Sequence, residues 1–291
     1  MIDLTNFDED TLFIIGNGFD MAHGIKSSYW DFRNWLIAHR YWDDVMNLEK
    51  LFPITDGGIN MLWKDFEEAI GKYDPQKIHN EFFQGVDNGF SKDVQVRVAE
   101  RIKPFIKKIP SYMKEWAENM EGMYSITKVY KGLEPSFKYL TFNYTLVLEN
   151  LYLIPRNNVL HIHGSIHDDK IIVGHDNKKD PNEGYQYYSN VEISKRNIVE
   201  LMNTNVKPID DLISKNQDFF SSIYNVKKIV VVGHSLSRVD MPYFYKVADR
   251  VSPDCIWHFC WHTIEDLSYI KLTITNPTSF FNRFSCRMHK I

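Results

Sequence analysis

Cysteine is scarce in this chain. Cys255, Cys260 and Cys286 are the three among 291 residues, an odd number with no CxxC pair. That excludes a disulfide framework and a four-cysteine zinc site, and it fits a reducing compartment. Positive charge is also in short supply: 34 Lys and Arg against 38 Asp and Glu give a formal net charge of −4. A polyanion therefore meets no general attraction, and nucleic acid is not an expected partner. No apolar run approaches the roughly 20 residues that span a bilayer. The N-terminal MIDLTNFDED is acidic where a secretory signal is basic. No membrane association and a cytoplasmic location are expected. Internal repeats, low-complexity segments and clean linkers are lacking, as are the GxxxxGK(S/T) phosphate loop and the HExxH zinc-protease signature.

What remains is an ordinary globular composition, 44% hydrophobic and 25% charged, long enough to bury a substantial core. The most informative stretch is Thr11 to Phe32. Leu12 to Ile15 are continuous apolar residues rich in β-branching, as in a strand buried on both faces of a parallel sheet. Gly16-Asn17-Gly18 then breaks the run and a helical pattern follows. Two residues without Cβ allow backbone N–H groups to come close to a phosphate at the start of a helix. The dinucleotide fingerprint wants a third glycine where Met21 stands, so the turn alone fits a nucleotide site and a plain tight turn equally well.

Helical spacing marks Ser28 to Lys50, a second helix capped by Asn60 after a break at Asp56-Gly57-Gly58, and a long stretch from Val94 to Trp116 bent or interrupted at Pro104 and Pro110. Strand patterns return at Phe137–Phe142, Val159–His163, Lys170–Val173, Lys228–Val232 and Cys255–Trp261. Gly174 to Asn190 has the composition of an irregular loop or lid. Helical pattern also covers Val191 to Tyr224 and restarts at Pro242. This alternation predicts an α/β fold with a mainly parallel sheet. Residues 1–291 form one domain in this reading, and about residues 27–135 are a helical insertion over the mouth of the sheet.

Four clusters stand where apolar strands stop: Gly16-Asn17-Gly18-Phe19-Asp20, Thr141-Phe142-Asn143-Tyr144, His161-Ile162-His163-Gly164, and Gly233-His234-Ser235-Leu236 with Asp240. In an open parallel sheet those ends share one edge, and ligands bind there. His161 and His163, two apart, project from one face of a strand and could take a metal with His175 and Asp176. Against that, His161 reads as a buried histidine bonded to backbone, and His163 as a general base titrating near neutrality. Asn143 is either a turn former or a site residue. Asp20 is either a first-turn carboxylate favoured by the helix dipole or a partner of a sugar hydroxyl. Gly233 to Ser237 also looks like a nucleophile elbow, although Ser237 holds the place of its second glycine. Trp63 and Phe66 read as core, and Glu67, at a helix edge, either reaches the site or sits in solvent.

Taken in order, these motifs resemble the AbiH-type phage abortive-infection proteins. The residues that carry the likeness are Ile15-Gly16-Asn17-Gly18-Phe19-Asp20, Ala22-His23-Gly24, Ser28-Tyr29-Trp30-Asp31-Phe32, Trp63 with Phe66-Glu67, Phe142-Asn143-Tyr144-Thr145 with Glu149, His161-Ile162-His163-Gly164, and Gly233-His234-Ser235-Leu236 with Asp240 and Tyr243-Phe244. More distantly the series is similar to the sirtuin-like NAD-binding fold, so the implied architecture is a Rossmann-like, sirtuin-type sheet with a large helical insertion. Gly16 and Gly18 match its glycine pair, Asn143 its strand-end asparagine, His163 its histidine before glycine, and Gly233 with Ser235 its Gly-x-Ser. Gly24-Ile25 and Asp31-Phe32-Arg33 echo two further sirtuin motifs with four extra residues between them. Thr145 replaces an aspartate, and a four-cysteine module is lacking, so protein deacylation is not implied.

The resemblance implies nucleotide binding with NAD as substrate or ligand, in phage defence. As an enzyme the chain is expected to be a hydrolase of the NAD glycohydrolase kind. Asn143 orients the ribose and a water, and His163 is the general base. Gly16, Asn17, Gly18, Asp20, Gly233, Ser235 and Asp240 hold the nucleotide, and no metal is expected. The alternatives are a non-catalytic nucleotide sensor and a metal-dependent nuclease. A homo-oligomer and a phage-derived trigger complete the expected partners.

Overall fold

A computed structural model describes residues 2–8, 10–52, 59–83, 98–123, 129–183 and 189–291. The expected break at Asp56-Gly57-Gly58, the start of the long helix at Val94 and the loop residues Gly184 to Tyr188 lie outside them. The chain forms two compact units, one of Met1–Ser27, Ala117–Ile171 and Pro208–Ile291, the other of Ser28–Trp116 and Ile172–Lys207.

The first unit is built on six parallel strands: β1 (Thr11–Ile15), β2 (Lys138–Thr141), β3 (Val159–His161), β4 (Lys228–Val232), β5 (Ile256–Trp261) and β6 (Ser285–Lys290). Helices flank them, and the arrangement is Rossmann-like. All of Thr11 to Ile15 and Ile229 to Val232 are buried, which is why these two runs lack alternation and form the centre. The sheet order is β3-β2-β1-β4-β5-β6. The chain works outward from β1 on one side, then returns to lay β4 against the other side of β1. The order therefore reverses between β1 and β4, the switch point at which such sheets open a crevice at the strand ends. Register places Tyr139, Phe13, Val230, His258 and Arg287 in one row across the sheet. Phe13 stacks on Phe137 and Tyr139 at ring distances of 5.6 and 5.5 Å.

One strand expectation needs correction, and one strand was not anticipated. Lys170 to Val173 is not a strand, although Ile171 and Val173 are buried. The division between the units falls there, after Ile171, and the next backbone pairing is an isolated bridge from His175 to Val206. β6, SCRMHK, carries no apolar pattern because it is an edge strand with several exposed side chains.

The second unit is helical. Its extent differs from the expected 27–135: it closes at Trp116 and takes in Ile172–Lys207. The helix Pro75–Phe83 packs on Asn190–Asn203 within it. Ser28 and Asp31 form a capping box at the start of helix Tyr29–Ala38. That helix does not run on to Lys50, because Arg40 adopts a left-handed conformation, φ +67°, before helix Trp42–Leu51 begins. Helix Val98–Met120 runs through Pro104 and Pro110 without interruption. Each proline costs about 3 kcal/mol. Burial of Val98, Ile102, Ile106, Ile109, Met113 and Trp116 offsets this, at about 1.5–3 kcal/mol per large side chain. The expected helix Val191–Tyr224 comes as Asn190–Asn203, Ile209–Lys215 and Gln217–Ser222, divided at Pro208 and Asn216. Among the described residues no helix is long and apolar enough to cross a membrane.

Candidate functional site

The four strand-end clusters all belong to the first unit, at the ends of β1, β2, β3 and β4. The two glycine turns beside the switch point touch. Gly18 N–H donates to Gly233 O at 2.7 Å, and Gly16 N–H donates to Val232 O at 3.0 Å. A Cβ on Gly16 would stand 2.6 Å from His234 Cα, and one on Gly18 2.8 Å from Gly233 Cα. Close approach is thus the reason for both glycines, but what approaches is the neighbouring turn. Both amides are engaged in backbone bonds.

Asp20 is buried beneath this crossing. Asn143 Nδ2 donates to Asp20 Oδ1 at 2.8 Å and to Gly16 O at 3.2 Å, and Thr145 Oγ1 donates to Asp20 Oδ2 at 2.6 Å. Asp20, read from the sequence as a first-turn carboxylate or a partner of a sugar hydroxyl, forms a buried tie between the ends of β1 and β2. Asn143 is likewise more than a turn former, and both hydrogens of its carboxamide are taken. Burial pushes the Asp20 carboxyl up from 3.8 to about 7, against the lowering effect of the Thr145 and Asn143 bonds. The folded protein thus keeps this proton to higher pH than the unfolded chain. The stability it contributes is complete below about pH 4 and is lost as pH rises through about 7. Asp20→Asn is expected to flatten the dependence of the urea midpoint on pH across that window. An unchanged slope in the variant would assign the titration to another group.

On the other side of Phe142 lies a triangle of ionisable groups. Asp240 Oδ2 is 3.4 Å from His234 Nε2, and Asp240 Oδ1 is 3.8 Å from His163 Nε2. Leu236 N–H donates to His234 Nδ1 at 2.9 Å, which leaves the proton of the neutral ring on Nε2, facing Asp240. This bond also holds Leu236 in the left-handed region, φ +56°, at a cost of about 1–2 kcal/mol. The Phe142 ring meets His163 at 5.5 Å and His234 at 4.4 Å, and Tyr243 packs on His163. His163 is 3% exposed. Such an arrangement can pass a proton to a histidine and stabilise the imidazolium with a carboxylate.

The remaining candidates separate. β3 ends at His161, so strand alternation does not carry on to His163. His161 bonds Asn143 O through Nδ1 at 2.9 Å and Glu149 through Nε2 at 2.8 Å, partners unlike those of His163. Among the described residues no three His, Cys, Asp or Glu side chains gather as metal ligands. Ser235 and Asn17 are exposed at the rim. The left-handed residues of the Gly233–Ser237 turn are Gly233 and Leu236, whereas a nucleophile elbow strains the serine itself. In the second unit, Asp31 serves the capping box and Arg33 pairs with Glu49 at 2.7 Å. Glu67, expected at a helix edge, is buried, with Lys207 Nζ at 2.9 Å and Gly174 N–H at 3.0 Å.

Sequence reading assigned no role to His234 or Thr145. His234 was signalled only by its place between Gly233 and Ser235 at a strand end, and Thr145 only as the residue standing where sirtuins carry aspartate. Neither curated proteins nor solved structures give a match to this chain. Residues 12–261, which run from within β1 to the end of β5 and include every candidate above, match the family Bacteriophage abortive infection AbiH, and the chain belongs to that family.

Proposed function

We propose that the chain serves abortive infection through a nucleotide pocket at the switch point of the sheet, where it hydrolyses NAD or a related nucleotide between nicotinamide and ribose. The observation that carries this reading is Asp240 set between His163 and His234 at the ends of β3 and β4. Breaking that bond by hydrolysis requires a water to lose a proton as positive charge grows on the sugar. His163 Nε2 accepts the proton, and Asp240 steadies the resulting charge. His234 holds Asp240 from its other oxygen. Asn143 fixes the ends of β1 and β2 at a set distance, and its Oδ1 remains as an acceptor for a ribose hydroxyl. With the Gly16 and Gly18 amides engaged, Ser235 and Asn17 are the exposed groups that meet phosphate and ribose.

A second reading, a nucleotide sensor without turnover, is favoured by the burial of His163. The two readings part in one experiment. Purified protein is incubated with NAD, with and without a lysate of infected cells, and released nicotinamide is measured for wild type, His163→Ala and Asp240→Asn. Both variants are expected to release nicotinamide at least about tenfold more slowly. Undiminished release in both would overturn the catalytic assignment, and tight NAD binding without release in wild type would establish the sensor.

A further inference from the structure

A cavity of about 680 Å³ lies in the first unit, on the face of β5 and β6 beside the segment Asp3–Phe7. The parallel register sets His258 opposite Arg287, and His289 follows two residues on, so all three share one face. Lys228 and Phe7 complete the wall. His258 is 5% exposed. Its Nδ1 lies 2.8 Å from His289 Nε2, and its Nε2 is buried with no hydrogen-bond partner among the described residues. When His289 donates across this pair, the proton of His258 resides on Nε2 as a buried donor without an acceptor. Leaving such a group unpaired costs about 1–3 kcal/mol.

The charges around the cavity are unbalanced. Asp3 accepts from the Thr5 N–H and hydroxyl, and Asp8 pairs with Lys228 at 2.7 Å. Arg287 is exposed and has no ion pair among the described residues. A guanidinium beside a buried imidazole donor matches an oxyanion with several oxygens. Burial, with His289, Arg287 and Lys228 nearby, pushes His258 down to about 4, a cost that a bound anion relieves. The volume lies within the usual range of small-molecule sites, about 300–1,000 Å³.

We infer that this cavity binds the phosphoryl group of a small phosphorylated ligand, held by Arg287 and by Nε2 of the His258–His289 pair. The site is separate from the strand-end triangle, and the inference does not depend on NAD turnover. The test titrates inorganic phosphate and AMP into the full chain while the imidazole resonances of His258 and His289 are followed by NMR. Both probes are expected to shift these signals, and Arg287→Ala and His258→Gln are each expected to raise Kd at least about tenfold. Tighter binding of AMP than of phosphate supports a nucleotide ligand, and equal binding supports the phosphoryl group alone. Signals unmoved by about 10 mM of either probe, or equal affinity in wild type and Arg287→Ala, would overturn the inference.

Discussion

Gly233→Ala is expected to destabilise the protein by about 4 kcal/mol. Two causes add. Gly233 sits at φ +65°, where a side chain costs about 1–2 kcal/mol. Its added Cβ would also lie 2.3 Å from Phe19 N and 2.6 Å from Gly18 C. These are backbone atoms of the opposing turn and cannot swing aside, so the turns must part. Gly24 separates the two causes, because it has φ +81° with nothing within 4 Å of its Cβ position. Gly24→Ala is therefore expected to cost about 1–2 kcal/mol. Denaturant midpoints for the pair check this, and equal losses would mean that the crossing of the turns is not tight.

Lys207→Ala is the second large effect, about 3–5 kcal/mol. The Lys207 side chain is fully buried, and its Nζ is 2.9 Å from Glu67 Oε2. Removing the cation leaves a buried carboxylate without the positive charge it faces, and the Gly174 N–H at 3.0 Å is a neutral donor that does not replace it. Restoring neutrality should recover much of the loss, since a buried pair often contributes little net stability. The double variant Glu67→Gln, Lys207→Met is thus expected to be more stable than Lys207→Ala alone. If thermal unfolding shows the single variant unharmed, the pair is not a structural lock of the helical unit.

The fold was legible where burial is one-sided in its demands. LFII and KIVVV have both faces covered, so their apolar runs announce the centre of the sheet. SCRMHK could not be read, because an edge strand pairs through backbone while several of its side chains meet water. Pro104 and Pro110 misled because local propensity was outweighed by a buried stripe along the whole helix.

For the site, the strand-end positions were legible and the partners were not. The absence of Cβ at Gly16 and Gly18 announces a close approach, yet it is the same whether the approaching group is a phosphate or the backbone of Gly233. Asp20 shows a similar limit. Its place in the first turn of a helix is written in the sequence, whereas its bonds to Asn143 and Thr145 span more than 120 residues of chain. His234 escaped for the same reason, since its bond to Leu236 N–H and its approach to Asp240 depend on a turn with two left-handed residues.

We propose that nucleotide binds at the adjoining ends of β1 and β4. Backbone NMR during a titration with NAD tests it most directly. The largest shifts are expected on Asn17, Gly18, Phe142 and Ser235, with His163 and His234 ring signals moving in parallel. Shifts confined to β5 and β6, or none at saturating NAD, would contradict it.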